Sequence, residues 1–148
     1  MAYKQVETSD REELRDLQVE RLRETVENAY ENVEFYRDQL DEMGVTPEDI
    51  QSVEDVRKLP MTTKEDFRDE YPDGLFAVVD REITRIHASS GTTGKPKIVS
   101  YTDEDVQVWS EVVARSLAAS GAEAGDTVQN AYGYGLFTGG LGFPQGAA

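Results

Sequence analysis

A loop rich in glycine, serine and threonine, flanked by two short apolar segments, most limits the folds open to this chain. It reads HASSGTTGKPKIV (His87–Val99). The flanking segments, Ile83–Ala88 and Ile98–Tyr101, are typical of short strands. Pro96 has no backbone N–H, and Ile98 and Val99 shortly after it are β-branched, so a helix should not begin at Lys95. The sequence therefore predicts a hairpin with the loop at its tip.

Before residue 80, the apolar residues follow a helical spacing. Between residues 14 and 40 they recur every three to five positions, which places them on one face of a helix. Ser9 and Glu12 form a capping-box pattern at its start, and Gly44 is the predicted stop. A break near Asn32–Glu34 would divide this segment into two helices. The residues on the apolar face are Leu14, Leu17, Leu22, Val26, Ala29, Val33, Tyr36 and Leu40.

Short helices are predicted to follow. Thr46 is an N-cap with Pro47 at the first helical position. Ser52–Leu59 is a helix ended by the next proline, and Thr63–Glu70 is another, with Asp66 completing its cap pair.

After the loop, Thr102 caps a predicted helix that extends to about Ser120. Gly121 and Gly125 then turn the chain into a strand, Thr127–Ala131. We therefore predict an α/β fold in which residues 1–80 are mainly helical and residues 81–148 supply strand, loop, helix and strand. The buried face of the helix is predicted to carry Val106, Trp109, Val113 and Leu117.

Composition excludes several function classes. The chain has 148 residues, no cysteine and one histidine, so a disulfide, a cysteine zinc site or a His-rich metal centre is not expected. No apolar run is long enough for a membrane span and the N-terminus has no apolar signal region, so we expect a cytoplasmic protein without a membrane partner. The net charge of −15 disfavours nucleic-acid binding, because phosphate backbones would be repelled. It indicates either an ordinary solvated surface or adaptation to high intracellular salt, as in a halophilic organism.

The loop has the groups that bind a polyphosphate. Its glycines let successive N–H groups point towards an anion, its hydroxyls add donors and its lysines add positive charge. The alternative, a polar turn without a ligand, does not require so many donors. His87 is either a packed strand residue or a support for the loop. The predicted phosphate-binding residues are Ser89, Ser90, Gly91, Thr92, Thr93, Gly94, Lys95 and Lys97.

The loop departs from two common nucleotide motifs. A Walker loop needs glycine where Ser89 stands and a hydroxyl where Pro96 stands, and it opens into a helix. The dinucleotide pattern G-x-G-x-x-G is also absent. A P-loop kinase or GTPase is therefore not expected.

The stretch SSGTTGKPK resembles the phosphate loop of the AMP-forming adenylating enzymes, which include acyl-CoA synthetases and luciferases, with Lys97 as the family lysine. The segments NVEFYRDQLDEMGVTPEDIQSVEDVRKLPMTTKEDFRDEYPDGLFAV, RIHASSGTTGKP and NAYGYGLFTGGLG narrow this resemblance to the opening part of the phenylacetate–CoA ligase family. The resemblance extends from about Leu14 to Gly142. Glu34 stands where that family usually has proline.

The resemblance implies a two-step reaction that uses ATP, CoA and Mg²⁺ to convert phenylacetate or another aryl acid through acyl-AMP into a thioester, with release of pyrophosphate. Tyr132 and Phe137 can stack on a flat ring, and the nearby glycines let backbone approach it, although these residues could also only fill a core. The resemblance implies that the aryl-acid pocket includes Tyr132, Gly133, Tyr134, Gly135, Phe137 and Gly139.

The sequence also departs from the family at its end. GFPQGAA stands where the family continues through His-Tyr-Gly-Ala-Glu, and the later motifs, including the catalytic lysine and the magnesium-binding acid, are absent. We therefore expect a truncated large adenylation domain without its C-terminal domain, with no metal site of its own and no activity alone. A homodimer or a complementing downstream polypeptide would be its partner. An inactive relic and a helical binding or dimerisation module are the alternatives.

Overall fold

The computed structural model describes residues 5–89, 96–133, 135 and 138–147. The chain divides into two compact units, Met1–Ala77 and Val78–Ala148. The first unit contains α1 (Arg11–Asn32), α2 (Glu34–Met43) and α3 (Asp66–Asp69), with 3-10 turns at Gln5–Thr8, Pro47–Asp49 and Val53–Lys58. The second contains a 3-10 turn at Asp80–Glu82, strands β1 (Arg85–Ala88) and β2 (Ile98–Tyr101), and helices α4 (Asp103–Ala119) and α5 (Thr138–Ala147).

The first helix begins one residue later than predicted. Asp10 is its N-cap, and the Asp10 carboxylate accepts hydrogen bonds of 2.9 Å from the backbone N–H groups of Glu12 and Glu13. The predicted cap pair of Ser9 with Glu12 is therefore wrong. A carboxylate caps as well as a hydroxyl does, and its negative charge also suits the positive end of the helix dipole.

The break between α1 and α2 is confirmed at Val33, which is buried and has an extended backbone with φ −123°. Arg37 supports the break, because its guanidinium donates hydrogen bonds to the carbonyl oxygens of Tyr30 (2.9 Å) and Glu31 at the end of α1. The predicted stop at Gly44 is also confirmed. Gly44 has φ 64°, a left-handed conformation that glycine adopts without strain.

Val26, Leu40 and Ile50 form the core of the first unit. Two of these lie on the predicted helical face, whereas Ile50 comes from the turn that follows and was not predicted. Arg23 on α1 donates two hydrogen bonds, of 3.1 and 3.0 Å, to the Ile50 carbonyl oxygen. This contact satisfies a polar backbone group that lies beside a fully buried side chain.

The short helices begin near their predicted positions but differ from the prediction in type or length. The N-cap at Thr46 is confirmed, and Thr46 pairs with Asp49 in a reciprocal capping box. Ser52 forms the same kind of box with Asp55, a pair that was not predicted. In both cases the segment that follows is a 3-10 turn. Thr63 donates from its backbone N–H to Asp66 at 2.5 Å, before the four-residue α3. Each segment ends within about two turns, since few residues separate its cap from the next turn or proline.

In the second unit, β1 and β2 form the predicted antiparallel hairpin, with His87 opposite Val99 and Ala88 opposite Ile98. The predicted helix after Thr102 is confirmed as α4, capped at Ser120. Its predicted inner face, the 106, 109, 113 and 117 positions, is half-buried. None of the helices in the described part of the chain has the length and apolar content to cross a lipid bilayer.

The predicted strand Thr127–Ala131 is wrong, because this segment has no regular secondary structure. A strand requires a hydrogen-bonded neighbour, and the two strands of the described chain pair only with each other. Here the Asn130 side chain bonds instead to Tyr132 and Gly140. The glycine-rich segment beyond it, for which the sequence indicated no helix, forms α5.

Candidate functional site

The hairpin closes the base of the predicted phosphate loop. The Ser89 N–H donates to the Lys97 carbonyl oxygen at 2.9 Å, and the Lys97 N–H donates to Ser89 Oγ at 3.3 Å. The first bond extends the hydrogen-bond ladder of the hairpin one residue beyond its last strand pair, and the second adds a side-chain contact between the same two residues. Together they fix both ends of the loop. Ser90, Gly91, Thr92, Thr93, Gly94 and Lys95 lie outside the described residues.

A cluster of three aromatic rings lies where the hairpin meets α4. The His87 ring is 2% exposed and packs edge to face against Tyr101 and Trp109, with ring centroids 5.4 Å apart in both cases. The Tyr101 and Trp109 rings are 5.1 Å apart. The cluster joins both strands to α4 and therefore holds the hairpin in a fixed position on that helix.

Helix α5 packs on α4 at unusually short range. A Cβ built on Gly142 would lie 1.9 Å from Trp109 Cζ2, and one built on Gly146 would lie 2.4 Å from Val113 Cβ. Both positions, one helical turn apart, therefore require glycine. The Arg85 guanidinium on β1 also donates to Gln145 Oε1 on α5 at 2.9 Å, so the hairpin and α5 share a direct contact.

An open groove lies beside α5 and has a volume of about 480 Å³. Its lining is mainly apolar. Tyr132 is 60% exposed there and Phe143 is 41% exposed. The remaining lining residues are Gln129, Asn130 and Ala131.

Of the predicted pocket residues, Tyr132 lines this groove. Gly133 and Gly135 are exposed, and Gly139 lies in the first turn of α5. Tyr134 and Phe137 lie outside the described residues. Sequence reasoning missed Asn130 and Phe143, because the bond from Asn130 to Gly140 and the place of Phe143 at the groove depend on a helix that the glycine-rich sequence did not indicate.

No group of three or more histidine, aspartate or glutamate side chains in the described ranges 5–89, 96–133, 135 and 138–147 could hold a metal ion. Among the described residues, the shifted pKa values lie in the first unit; three belong to capping aspartates, and the fourth is the raised pKa of Tyr30, which donates a hydrogen bond to Asp41. The pKa of Asp66, for example, is lowered by the hydrogen bond from the Thr63 backbone.

No protein-family model matches the chain. Individual relatives do match it over nearly its whole length. A phenylacetate–coenzyme A ligase of Thermus thermophilus is 57% identical over 147 residues, and those of Aromatoleum evansii and Escherichia coli are 56% and 53% identical over 142 residues. This chain belongs to the phenylacetate–coenzyme A ligase family. The Thermus alignment covers 99% of this chain but 33% of that relative. The chain therefore spans about a third of the length of the curated relatives it matches.

Solved structures agree with membership of this family of AMP-forming acid–CoA ligases. A 2-hydroxyisobutyryl-CoA ligase in complex with 2-HIB-AMP and CoA matches with a TM-score of 0.86 and 29% identity, over 95% of this chain and 31% of the other. The same ligase in its postadenylation state matches with a TM-score of 0.83 and 27% identity, over 93% and 30% of the two chains.

Proposed function

We propose that this chain supplies the phosphate loop and one wall of the acid pocket of an ATP-dependent phenylacetate–CoA ligase. The observation that carries the proposal is the 57% identity to the Thermus ligase, together with a hairpin that closes the base of the loop. The chain spans about a third of that relative, so the complete reaction needs groups from the rest of a ligase.

The reaction proposed has two steps. A carboxylate oxygen of the acid attacks the α-phosphorus of ATP. A new P–O bond forms, and the bond to the bridging oxygen breaks, so pyrophosphate leaves with the bonding electrons. The CoA thiol, after losing its proton, then attacks the acyl carbon, and AMP leaves as the thioester forms.

In this chain, the phosphate loop would act on the first step. Its donors and Lys97 would hold the β- and γ-phosphates in line with the attacking acid and stabilise the charge on the departing pyrophosphate. The closed ladder at Ser89 and Lys97 supports this role, because a fixed loop base reduces the reorganisation needed when the anion binds.

Lys97→Ala tests the loop directly. The chain has a single tryptophan, Trp109, whose ring packs against His87 two residues before the loop, so its fluorescence reports on pyrophosphate binding. Loss of a charge-assisted hydrogen bond of about 1.5–3 kcal/mol should weaken binding roughly 10- to 100-fold. Lys64→Ala is the matched control, because Lys64 is exposed in the other unit. Equal effects of the two substitutions would contradict a specific phosphate site.

A chimera tests the complete reaction. The 148 residues would replace the aligned third of the Thermus ligase, and phenylacetate-dependent ATP–pyrophosphate exchange would be measured. We expect exchange by the chimera and its loss on Lys97→Ala. The 148 residues alone should not catalyse exchange, since removal of even one preorganised electrostatic group typically costs about 100- to 1,000-fold in rate. A folded chimera without exchange would reject the proposed function.

A further inference from the structure

Asn130 supports a helix that contains a proline. Pro144 lies inside α5 and has no N–H to donate to the carbonyl of Gly140, four residues earlier. The Asn130 side-chain amide donates to that carbonyl oxygen at 3.1 Å and replaces the missing helical bond. Its Oδ1 accepts from the Tyr132 N–H at 3.2 Å. Asn130 therefore ties both sides of the groove together.

The packing of α5 determines which of its side chains meets the groove. Gly142 faces Trp109 and Gly146 faces Val113, both too closely for any side chain. Phe143 lies next to Gly142 in the same turn, and it lines the groove together with Tyr132. The position of Phe143 is thus set by contacts made by its neighbours rather than by its own burial.

The groove suits a small aromatic anion. Its volume of about 480 Å³ lies within the range of small-molecule sites, roughly 300–1,000 Å³. Among the described residues, the lining has two aromatic rings, two side-chain amides and no carboxylate, although the chain carries a net charge of −15. An acid can therefore place its ring against the aromatic side chains without meeting a negative group from these residues.

We propose that Phe143 is a specificity-determining residue that limits the size of the aryl group accepted in this groove. The inference rests on the proposed ligase function and adds a residue from α5 to the acid pocket. Tyr132 and Phe143 both line the groove, and Asn130 bonds to the Tyr132 backbone and to the Gly140 carbonyl oxygen on α5. Shortening Phe143 enlarges the groove, and lengthening it narrows the groove.

The test uses the full chain fused to the remaining part of the Thermus ligase. For Phe143→Ala and Phe143→Trp, kcat/KM is measured with phenylacetate and with the larger 2-naphthylacetate. We expect the naphthylacetate-to-phenylacetate ratio to rise roughly tenfold for the alanine variant and to fall for the tryptophan variant, since small changes in pocket volume change discrimination about 10- to 200-fold. The KM values for ATP and CoA should not change.

Val108→Ala is the matched control. Like Phe143, Val108 is an exposed apolar residue on a helix, but it lies on α4 and is not among the described residues that line the groove. It should leave the ratio unchanged. If both Phe143 variants lower the melting temperature without changing the ratio, another segment fills the groove and the proposal is wrong. An inactive parent chimera rejects the proposed function itself, and with it this inference, whereas an active parent with an unchanged ratio rejects only the role of Phe143.

Discussion

Gly142→Ala should destabilise the second unit, although the same change in most helices is stabilising. In a helix interior, alanine is favoured over glycine by about 1 kcal/mol. Here the new Cβ would lie 1.9 Å from Trp109 Cζ2 and 2.3 Å from Cε2, far inside the contact distance of about 3.5–4.0 Å. Either α5 or the indole ring must therefore move by more than 1 Å.

The indole cannot move freely, because it packs against both His87 and Tyr101. Overpacking of this kind costs about 1–3 kcal/mol, or more where neighbours cannot shift. Since the indole is held on two sides, we take the upper part of this range, about 2–3 kcal/mol. After the helix-propensity gain of about 1 kcal/mol is subtracted, the free energy of unfolding should fall by roughly 1–2 kcal/mol. For a protein of about 150 residues, this lowers the melting temperature by about 2–8 °C.

Thermal unfolding followed by circular dichroism measures this change. Gly133→Ala is the matched control, because a Cβ on Gly133 would meet nothing within 4 Å. A second variant, Trp109→Leu, makes room beneath α5, so Gly142→Ala should cost less in that background. The emission of Trp109 should also shift in the Gly142→Ala protein, because its packing is disturbed.

The reasoning is refuted if Gly142→Ala raises the melting temperature, or leaves it and the Trp109 emission unchanged. That result would mean that α5 does not lie against the indole. A penalty of the same size in the Trp109→Leu background would locate the clash elsewhere, for example at the backbone of α4.

Two further predictions concern charge. The net charge of −15 should make folding salt-dependent, with melting temperature rising from 0.01 M to 1 M KCl as the screening length falls from about 30 Å to 3 Å. The Lys58 ammonium, and hydrogen bonds from Gln51 and Ser52, hold the pKa of Asp55 well below its usual range. The cap therefore stabilises the fold above the unfolded pKa of about 3.9 and loses this contribution as pH falls below it, and Asp55→Asn should reduce the acid-induced fall in melting temperature in 1 M KCl.

Each of these two predictions has an outcome that would contradict it. Melting that is identical at both KCl concentrations would remove the high-salt interpretation of the acidic surface. For the cap, the control is Asp16→Asn, an exposed aspartate on α1. If Asp16→Asn and Asp55→Asn change the pH dependence equally, general charge rather than the cap controls acid stability.

Local chemistry in the sequence was sufficient to predict the elements that depend on near neighbours. The Gly44 stop, the N-caps at Thr46 and Thr102 and the β1–β2 hairpin each depend on groups within a few residues or on one short pairing. Their hydrogen bonds and backbone preferences are present whatever the rest of the chain does. The same is true of the groups in the phosphate loop, whose glycines and lysines indicate an anion from their identity alone.

Tertiary structure decided the features that depend on distant partners. Glycine and proline disfavour helices, so nothing local in the segment around Pro144 indicates α5. It forms where Gly142 and Gly146 approach α4 too closely for a side chain, and where Asn130 supplies the hydrogen bond that Pro144 cannot. Distant partners also explain why Thr127–Ala131 is not a strand. A strand is stabilised by hydrogen bonds to a neighbouring strand, and this segment has no such neighbour among the described residues. Sequence specified the chemical groups and the local turns, whereas packing between segments far apart in the chain brought Phe143 and Tyr132 to one groove.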